Sequence, residues 1–363
     1  MIKRLIQFPI LLISITAAVA SLLIVLCAYI PPKPMLSIFG AWNGLFFAFC
    51  LLHFGLLIFW LVRGEWKWAI IPLVALAAST PLILSTISIN PKPATATPDR
   101  QTLRVTSYNV GQFQFFNKKI GKNTVGALLL DKLAEDSADI VCLQEFGFKE
   151  YGKHDESFVL RKLRSYPYHF CHTPVFDYNF HKGLAIFSKH PIVAEHVIDL
   201  GSTYQRAIAT DIKVGNDTNR VFTAYLQSNK LNASDKDFKL EDWKDKLRLK
   251  LTVLSQKLDR AAKPRVRQAA KIKAAADQSP YPVIIAGDLN DLPASYTYHL
   301  FKNGYKDLFL EAGKGFGSTC SIWHIGIRID YIFADPRFDA TSFTIGEMDY
   351  SDHRPIHCEL FLK

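Results

Sequence analysis

Three long uncharged runs occupy the first ninety residues of the chain. They cover residues 5–32, 34–62 and 68–91 and are separated only by short charged groups. Each run exceeds the roughly 20 apolar residues that a helix needs to cross a bilayer. We therefore predict three transmembrane helices, at about 8–30, 38–61 and 68–88.

The breaks between these runs have the chemistry of helix ends. Residues 31–34 read Pro-Pro-Lys-Pro, which cannot continue a helix, and residues 63–67 form a charged turn with an aromatic anchor, Trp66. A cleaved signal peptide in residues 1–30 is one alternative, but no small-residue cleavage site follows the run and two further runs come after it. Buried soluble helices are another alternative, which the length of the runs and their lack of charge disfavour.

The basic residues of this segment predict its orientation. Those on one side of a three-pass arrangement are Lys3, Arg4, Arg63 and Lys67. The other side has only Lys33 nearby. Because Lys and Arg concentrate in cytoplasmic loops, we expect the N-terminus in the cytoplasm and everything after residue 90 outside it.

The rest of the chain alternates apolar and polar positions in short β-rich segments. These lie at 103–110, 183–188, 207–214, 220–227, 328–334 and 355–362. Residues 139–145 and 282–288 are nearly continuous apolar runs, typical of strands covered on both faces. Helical patterns lie at about 124–136, 155–164 and 241–277. Because several strands follow one another between the helices, the pattern favours an α/β (α+β) arrangement of two packed sheets with helices outside.

The composition separates these two parts of the chain. Apolar residues make up 49% of the 363 residues, and the first ninety hold only six charged side chains. This excludes a uniformly soluble protein, a transporter with many membrane passes, and a disordered or collagen-like chain. A Pro-rich linker is expected at 91–101, followed by one domain at 102–363. The six cysteines show no zinc-site spacing, and the four in the second part could form disulfides.

Residues 244–273 carry most of the net positive charge. They contain eleven Lys and Arg and two Asp, a net charge of +9, whereas the whole chain has +10. A basic helix of this kind binds phosphodiester backbones or anionic lipid headgroups. It is equally typical of a solvated helix face.

Polar residues stand where the apolar strand patterns end or are interrupted. These residues are Asn109, Glu145, Asp288, Asn290, Asp330, Asp352 and His353. A carboxylate at the end of a buried strand is costly unless it is paired or binds a metal. Oxygen ligands without thiolates suit Mg²⁺ or Mn²⁺. Each residue alone also fits a turn, a helix cap or an ion pair, but together they predict one acid-lined cleft.

Six short motifs resemble the endonuclease/exonuclease/phosphatase superfamily. They are SYNV (107–110), LQE (143–145), GLAIFSK (183–189), GDLND (287–291), RIDYIF (328–333) and SDHRP (351–355). The resemblance covers about residues 102–363 and implies a four-layer α/β sandwich with two packed mixed sheets. It also implies metal-dependent hydrolysis of phosphoesters. The three preceding helices look like those of membrane-attached bacterial members, which implies an inner-membrane protein with its catalytic domain on the periplasmic or extracytoplasmic side.

The resemblance assigns the candidate residues to two groups. On the metal side, Glu145 would be the main ligand of Mg²⁺ or Mn²⁺, with Asn109 beside it and Asp352 as an additional ligand. Asp288 would activate the attacking water, and Asn290 would bind a phosphate oxygen.

A His–Asp pair completes this assignment. His353 would donate to the phosphate as charge develops, and Asp330 would fix the tautomer of His353. A divalent ion on one side of the phosphoryl group and an imidazolium on the other stabilise the charge that in-line attack produces.

One position departs from the family pattern. Many relatives carry a phosphate-binding His at the end of the strand that precedes the long helical segment, and Tyr225 stands there in this chain. A phenol donates a hydrogen bond but is not cationic at neutral pH. The retained motifs favour an active phosphodiesterase or nuclease. The alternatives are a phosphatase acting on phospholipids or on inositol or sugar phosphates, and a weakened module that binds anionic polymer or lipid.

Overall fold

A computed structural model describes residues 2–32, 42–89, 91–97, 100–111, 119–120, 123–202, 204–229, 246–322, 325–347 and 350–363. The chain divides into two compact units. The first contains Met1–Ile87, Asn229–Val266 and Asp291–Leu300. The second contains Ser88–Ser228, Arg267–Asn290 and Phe301–Lys363.

The first unit is built on three apolar helices. These are α1 (Ile2–Tyr29), α2 (Phe46–Val62, preceded by a 3₁₀ turn at Trp42–Leu45) and α3 (Trp66–Thr86). The stretches Gln7–Tyr29, Asn43–Val62 and Trp66–Thr86 are long and apolar enough to cross a membrane. The start of the second predicted helix, at residues 38–41, lies outside the described residues. We call α1, α2 and α3 the apolar bundle.

The apolar bundle contains buried polar side chains among buried apolar ones, and it exposes many further large apolar side chains. Trp60 Nε1 donates to Ser14 Oγ at 3.0 Å, and Ser21 Oγ lies 2.8 Å from His53 Nε2. Polar side chains at helix contacts hold helices together where the surroundings are apolar. The outward surface includes the exposed side chain of Leu51. This distribution is the one expected of helices surrounded by lipid.

The second unit contains two six-stranded sheets. The first has the strand order β15-β16-β1-β4-β6-β5 and the second β11-β14-β10-β9-β8-β7. The strands of the first sheet are β1 (Thr102–Asn109), β4 (Ile140–Lys149), β5 (Tyr168–Asp177), β6 (Phe180–Ser188), β15 (Phe338–Ile345) and β16 (Ile356–Leu362). Those of the second are β7 (Ile192–Ile198), β8 (Arg206–Val214), β9 (Asp217–Tyr225), β10 (Val283–Asp288), β11 (Lys306–Asp307) and β14 (Asp330–Ala334).

Shorter elements complete the topology. Two small hairpins pair β2 (Lys119–Ile120) with β3 (Asn123–Thr124) and β12 (Cys320–Ile322) with β13 (Ile325–Ile327). The remaining helices are α4 (Val125–Glu135), α5 (Glu156–Lys162), α6 (Lys246–Asp277), α7 (Tyr296–Lys302) and α8 (Leu308–Ala312). Both large sheets are mixed, because β1 and β10 each have one parallel and one antiparallel neighbour.

Two apolar layers hold this unit together. The layer between the sheets joins Val105, Ile140 and Ile186 of the first sheet to Ile208 and Ile284 of the second. On its other face the first sheet packs against α4 and α5 through a second cluster, which includes Leu129, Leu133, Val141, Val159 and Phe187. The predicted α/β sandwich of two packed mixed sheets with flanking helices is therefore confirmed.

Close contact between two parallel strands fixes the end of β10. A Cβ atom added at Gly287 would lie 2.2 Å from the backbone oxygen of Ala224 on β9. Only glycine lets the two strands approach this closely. Gly287 therefore sets the position of the next residue, Asp288.

The cysteines do not form disulfides. All six lie in the described residues and all are free thiols. Cys142 and Cys358 lie in the core, where burial raises the pKa of both thiols. Burial also raises the pKa of Cys171 to about 12. The disulfides that the even number of cysteines allowed are absent.

Candidate active site

Three adjacent strands place three predicted site residues side by side. In the pairing of the second sheet, Asp288 at the end of β10 stands opposite Tyr225 at the end of β9 and opposite Asp330 at the start of β14. Each strand therefore places one polar side chain at the same end of the sheet. This is the arrangement that the strand-end pattern predicted.

His353 completes a compact group with the two carboxylates. Its Nδ1 lies 2.9 Å from Asp330 Oδ2, and its Nε2 lies 3.9 Å from Asp288 Oδ2. One ligand atom from each of the three residues lies within 4.8 Å of the others. The three side chains are 8%, 2% and 1% exposed for His353, Asp330 and Asp288. Buried charges at these distances stabilise one another and strongly perturb proton affinities.

The first sheet contributes Asn109 and Glu145. Asn109 Nδ2 donates to Asp288 Oδ2 at 3.0 Å and to Glu145 Oε1 at 3.3 Å. The amide oxygen of Asn109 accepts from the Gly111 N–H at 3.0 Å. Asn109 therefore joins the carboxylates of the two sheets as a donor, and its role as a metal ligand stays a prediction.

Glu145 lies at an irregularity within its strand. The sequence pattern ended the strand at residue 145, but β4 continues to Lys149, and its pairing with β6 shifts register between Leu143 and Phe146. Glu145 itself has a φ of 49°. A bulge of this kind turns a side chain out of the regular alternation, and backbone strain of this type concentrates at functional sites.

Asn290 is held in an unusual conformation beside Asp288. Its φ is 53°, and its N–H donates to Asp288 Oδ1 at 2.7 Å. Its side-chain amide donates to Asp288 Oδ2 and to the Leu226 oxygen, both at 3.1 Å. A non-glycine residue in the left-handed region costs about 1–3 kcal/mol, with Asn at the low end, and neighbouring contacts must offset this cost. These bonds enforce the conformation and fix the Asp288 carboxylate.

Burial and neighbouring charges shift the proton affinities of the group. Burial and the Asp330 carboxylate raise the pKa of Asp288 to about 7. Burial alone would lower the pKa of His353, but the Asp330 and Asp288 carboxylates outweigh it, so the pKa of His353 is raised well above its usual value. Burial and the carboxylate of Glu145 raise the pKa of the Tyr225 phenol. At neutral pH the site therefore combines an imidazolium, a neutral phenol and a carboxylate that can accept a proton.

Two residues that sequence reasoning missed orient this group. Ser351 Oγ donates to the Asn109 oxygen at 2.8 Å and accepts from the His353 N–H at 3.3 Å. Thr319 Oγ1 accepts from the Asp330 N–H at 3.2 Å. Ser351 stands in the SDHRP motif, so the sequence offered a signal for it. No motif marked Thr319.

Asp352 stands apart from the buried group. Its side chain is exposed, its Oδ1 lies 3.4 Å from Ser351 Oγ, and its charge contributes to the raised pKa of Tyr225. Its assignment as a metal ligand remains a prediction. The structure thus connects Asn109, Glu145, Tyr225, Asp288, Asn290, Asp330 and His353 directly and places Asp352 at their margin.

The donor chemistry of the site fits a divalent cation. Carboxylate oxygens of Asp288 and Asp330 lie within 4.8 Å of each other and of a His353 ring nitrogen, and Asn109 links Asp288 to the Glu145 carboxylate. Oxygen-rich sites of this kind suit Mg²⁺ or Mn²⁺. His353 Nδ1 is engaged by Asp330, so its ring orientation is fixed by a carboxylate.

Comparisons with known proteins agree with this fold. Solved structures with the same fold include the catalytic domain of human nocturnin (17% identical, covering 73% of this chain and 96% of that one, TM-score 0.52). Others are a family protein from Beutenbergia cavernae (17%, 72% of each chain, TM-score 0.51) and humanized D. rerio TDP2 (18%, 71% of this chain and 98% of that one, TM-score 0.51). No curated protein sequence matches the chain. The sequence model of the endonuclease/exonuclease/phosphatase family matches residues 106–353, more than half of the chain, and the protein therefore belongs to this family.

Proposed function

We propose that this protein is a membrane-anchored, divalent-metal-dependent phosphoester hydrolase whose substrate is a phosphodiester, with nucleic acid as the first candidate. The observation that carries the proposal is the buried group of Asp288, Asp330 and His353, joined by Asn109 to Glu145. Members of the family hydrolyse phosphoesters with divalent metals. The reaction needs a base for water and positive charge around the phosphoryl oxygens, and this group has residues suited to both.

Asp288 is suited to accept a proton from the attacking water. Its two oxygens accept three hydrogen bonds, from the Asn290 N–H and from the side-chain amides of Asn290 and Asn109. A carboxylate has about four acceptor positions, so one is left for water. A pKa of about 7 matches proton transfer at neutral pH.

His353 is suited to stabilise the charge that develops on the phosphoryl oxygens. Asp330 binds its Nδ1 and keeps the ring protonated, which leaves the Nε2 N–H for the substrate. Tyr225 supplies a neutral donor at the place where relatives have His. Asn290 would bind a phosphate oxygen after exchanging one of its present contacts.

Glu145 and Asp352 would hold the metal, with Asn109 beside them. When bound, a divalent ion would neutralise phosphoryl oxygens and polarise water. The strained bulge at Glu145 supports this assignment, because it turns the carboxylate toward the Asn109–Asp288 pair. Asp330 and Asp288 are an alternative ligand set, and the variants below separate the two.

The basic segment supports a polyanionic substrate only in part. Several of its cations bind groups within the protein: Lys263 binds Asp259, Arg265 binds Asp291, and Lys273 binds Asp277. Arg260 and Arg267 of α6 are exposed. Lys244, Trp243 and Phe238 lie outside the described residues. Exposed cations on one helix attract a phosphodiester backbone.

A phospholipid is the second candidate substrate, and the apolar bundle favours it. Helices that cross a membrane keep the enzyme next to lipid headgroups. In the proposed orientation the N-terminus is cytoplasmic and the catalytic domain lies outside the cytoplasm of a bacterial cell. Alkaline phosphatase and fluorescent-protein fusions at residue 100 test it, since a fluorescent fusion without phosphatase activity would reverse the orientation.

The activity test uses the full chain in detergent micelles. Bis(p-nitrophenyl) phosphate, p-nitrophenyl phosphate, DNA and phospholipid vesicles would each be offered with Mg²⁺, Mn²⁺ or EDTA. We expect metal-dependent cleavage of a diester that Asp288→Ala and His353→Ala each abolish. Asp335→Ala is the matched control, because Asp335 pairs with Arg337 in a surface turn. Inactivity of the unaltered protein on every substrate would refute the proposal.

A further inference from the structure

The segment that follows Asn290 packs into the apolar bundle within the first unit. Ala294 belongs to the same buried cluster as Ile24, Ala28, Phe46 and Leu82. The Tyr298 hydroxyl donates to the Ser85 oxygen at 3.4 Å. The apolar bundle therefore binds residues 291–300 through side chains of α1, α2 and α3.

A buried ion pair fixes the first residue of this segment. Arg265 Nη1 lies 3.1 Å from Asp291 Oδ2, and the two side chains are only 3% and 11% exposed. Arg265 Nη2 also donates to Asn229 Oδ1 at 2.5 Å. A guanidinium buried in this way keeps a fixed orientation, because moving it would leave an unpaired charge away from water.

Asn43 connects the same carboxylate to the apolar bundle. Its side-chain amide donates to Asp291 Oδ1 at 3.4 Å, and this oxygen also accepts from the Leu292 N–H at 3.1 Å. Asn43 lies in the 3₁₀ turn at the start of α2. Both oxygens of Asp291 are thus engaged, one by α6 and the other by the turn of the bundle.

Asp291 is one peptide bond from Asn290, whose backbone is in the left-handed region with a φ of 53°. Such a conformation is maintained where the surrounding structure holds the residue. On the preceding side Asp288 Oδ1 accepts from the Asn290 N–H at 2.7 Å. On the following side the fixed residue is Asp291.

We propose that Asp291 and Arg265 are positioning residues that act through Asn290, the residue bonded to Asp291, and that Asn43 helps to fix Asp291. The inference rests on the proposed function, in which Asn290 binds a phosphate oxygen. It does not depend on which phosphoester is the substrate.

The test compares variants of the full chain in micelles with bis(p-nitrophenyl) phosphate and Mn²⁺. Arg265→Met and Asp291→Asn are expected to lower kcat on the order of 10- to 100-fold, the loss typical of a misplaced binding group, with KM changed much less. The double variant should lose no more than the worse single variant, because both changes break one contact. Asn43→Ala should lower kcat less than either.

Lys263→Met is the matched control. It removes a cation from the same helix two residues away, and Lys263 pairs with Asp259 at 3.3 Å. We expect unchanged kcat for this variant. Arg265→Lys keeps the charge but not the two-pronged geometry, and it should recover only part of the activity.

Hydrogen exchange supplies a readout that does not need turnover. Residues 288–293 should exchange faster in Arg265→Met and Asn43→Ala than in the unaltered protein or in Lys263→Met. Unchanged exchange there, or unchanged kcat in Arg265→Met, would overturn the inference. If the unaltered protein cleaves no phosphoester, the proposed function fails and the exchange comparison alone decides the positioning role.

Discussion

Replacing Asp330 by Asn tests the central pair of the site. The amide still accepts the hydrogen bond that Asp330 Oδ2 receives from His353 Nδ1 at 2.9 Å, but the negative charge is lost. A hydrogen bond to a charged group contributes about 1.5–3 kcal/mol and a neutral one about 0.5–1.5 kcal/mol, so the variant loses about 1–1.5 kcal/mol. Because about 1.4 kcal/mol is a factor of ten in rate, we expect kcat/KM to fall roughly 5- to 13-fold.

The pH profile gives this prediction a direction. The Asp330 carboxylate raises the pKa of His353, whereas burial lowers it. Removing the carboxylate must lower the pKa of His353, so the imidazolium is lost at a lower pH. The alkaline limb of the kcat/KM profile should therefore shift to lower pH in Asp330→Asn, measured with Mn²⁺ over a range of buffers.

Metal titration separates this explanation from the alternative. If Asp330 serves His353, raising the Mn²⁺ concentration will not restore Asp330→Asn. If Asp330 is itself a metal ligand, as its 4.8 Å cluster with Asp288 and His353 permits, excess metal will restore much of the activity. Full restoration, or an unshifted alkaline limb, would refute the positioning role.

Three further changes test the metal site and the framework around it. Bound Mn²⁺ should raise the Tm of the unaltered protein by mass action, and Glu145→Gln should abolish this rise. If the rise is retained, Glu145 is not the main metal ligand. Gly287→Ala would put a Cβ atom 2.2 Å from the Ala224 oxygen, so β9 and β10 must separate and Tm should fall; an unchanged melting curve contradicts this packing. Asp307→Asn removes the carboxylate that Arg328 binds at 2.7 Å, where both side chains are almost fully buried. Breaking such a pair costs about 3–5 kcal/mol, or roughly 6–20 °C in Tm, and a shift under about 2 °C would contradict the burial of this pair.

The site could be predicted from sequence where it depends on strand periodicity. Asp288 ends one apolar run and Asp330 begins another, and the pairing of β10 with β14 brings the two residues together. The bulge at Glu145 could not be predicted, because it depends on how β4 pairs with β6 rather than on β4 alone. Thr319 was missed for a similar reason. It lies eleven residues before Asp330, and only the fold of the intervening chain brings its hydroxyl to the Asp330 N–H.

The basic segment shows a different limit. Its charge is plain from composition, but composition does not reveal which cations are engaged inside the protein. Arg265 is buried against Asp291, 26 residues away, and Lys271 Nζ donates to the Asp199 oxygen at 2.9 Å. The charge available to a partner is therefore smaller than the net charge of residues 244–273.

The free thiols in the core make it practical to measure the membrane orientation of the chain. Cys142 and Cys358 are buried, and the raised pKa of each keeps the sulfur protonated and slow to react with alkylating reagents. A domain exported to an oxidising compartment would mature without any disulfide catalyst. Once the partly buried Cys27, Cys50 and Cys171 are replaced by Ser, a cysteine introduced at Thr95 in the segment before the first sheet would react with a membrane-impermeant maleimide over a low background. Labelling of intact cells would then report on which side of the bilayer that segment lies.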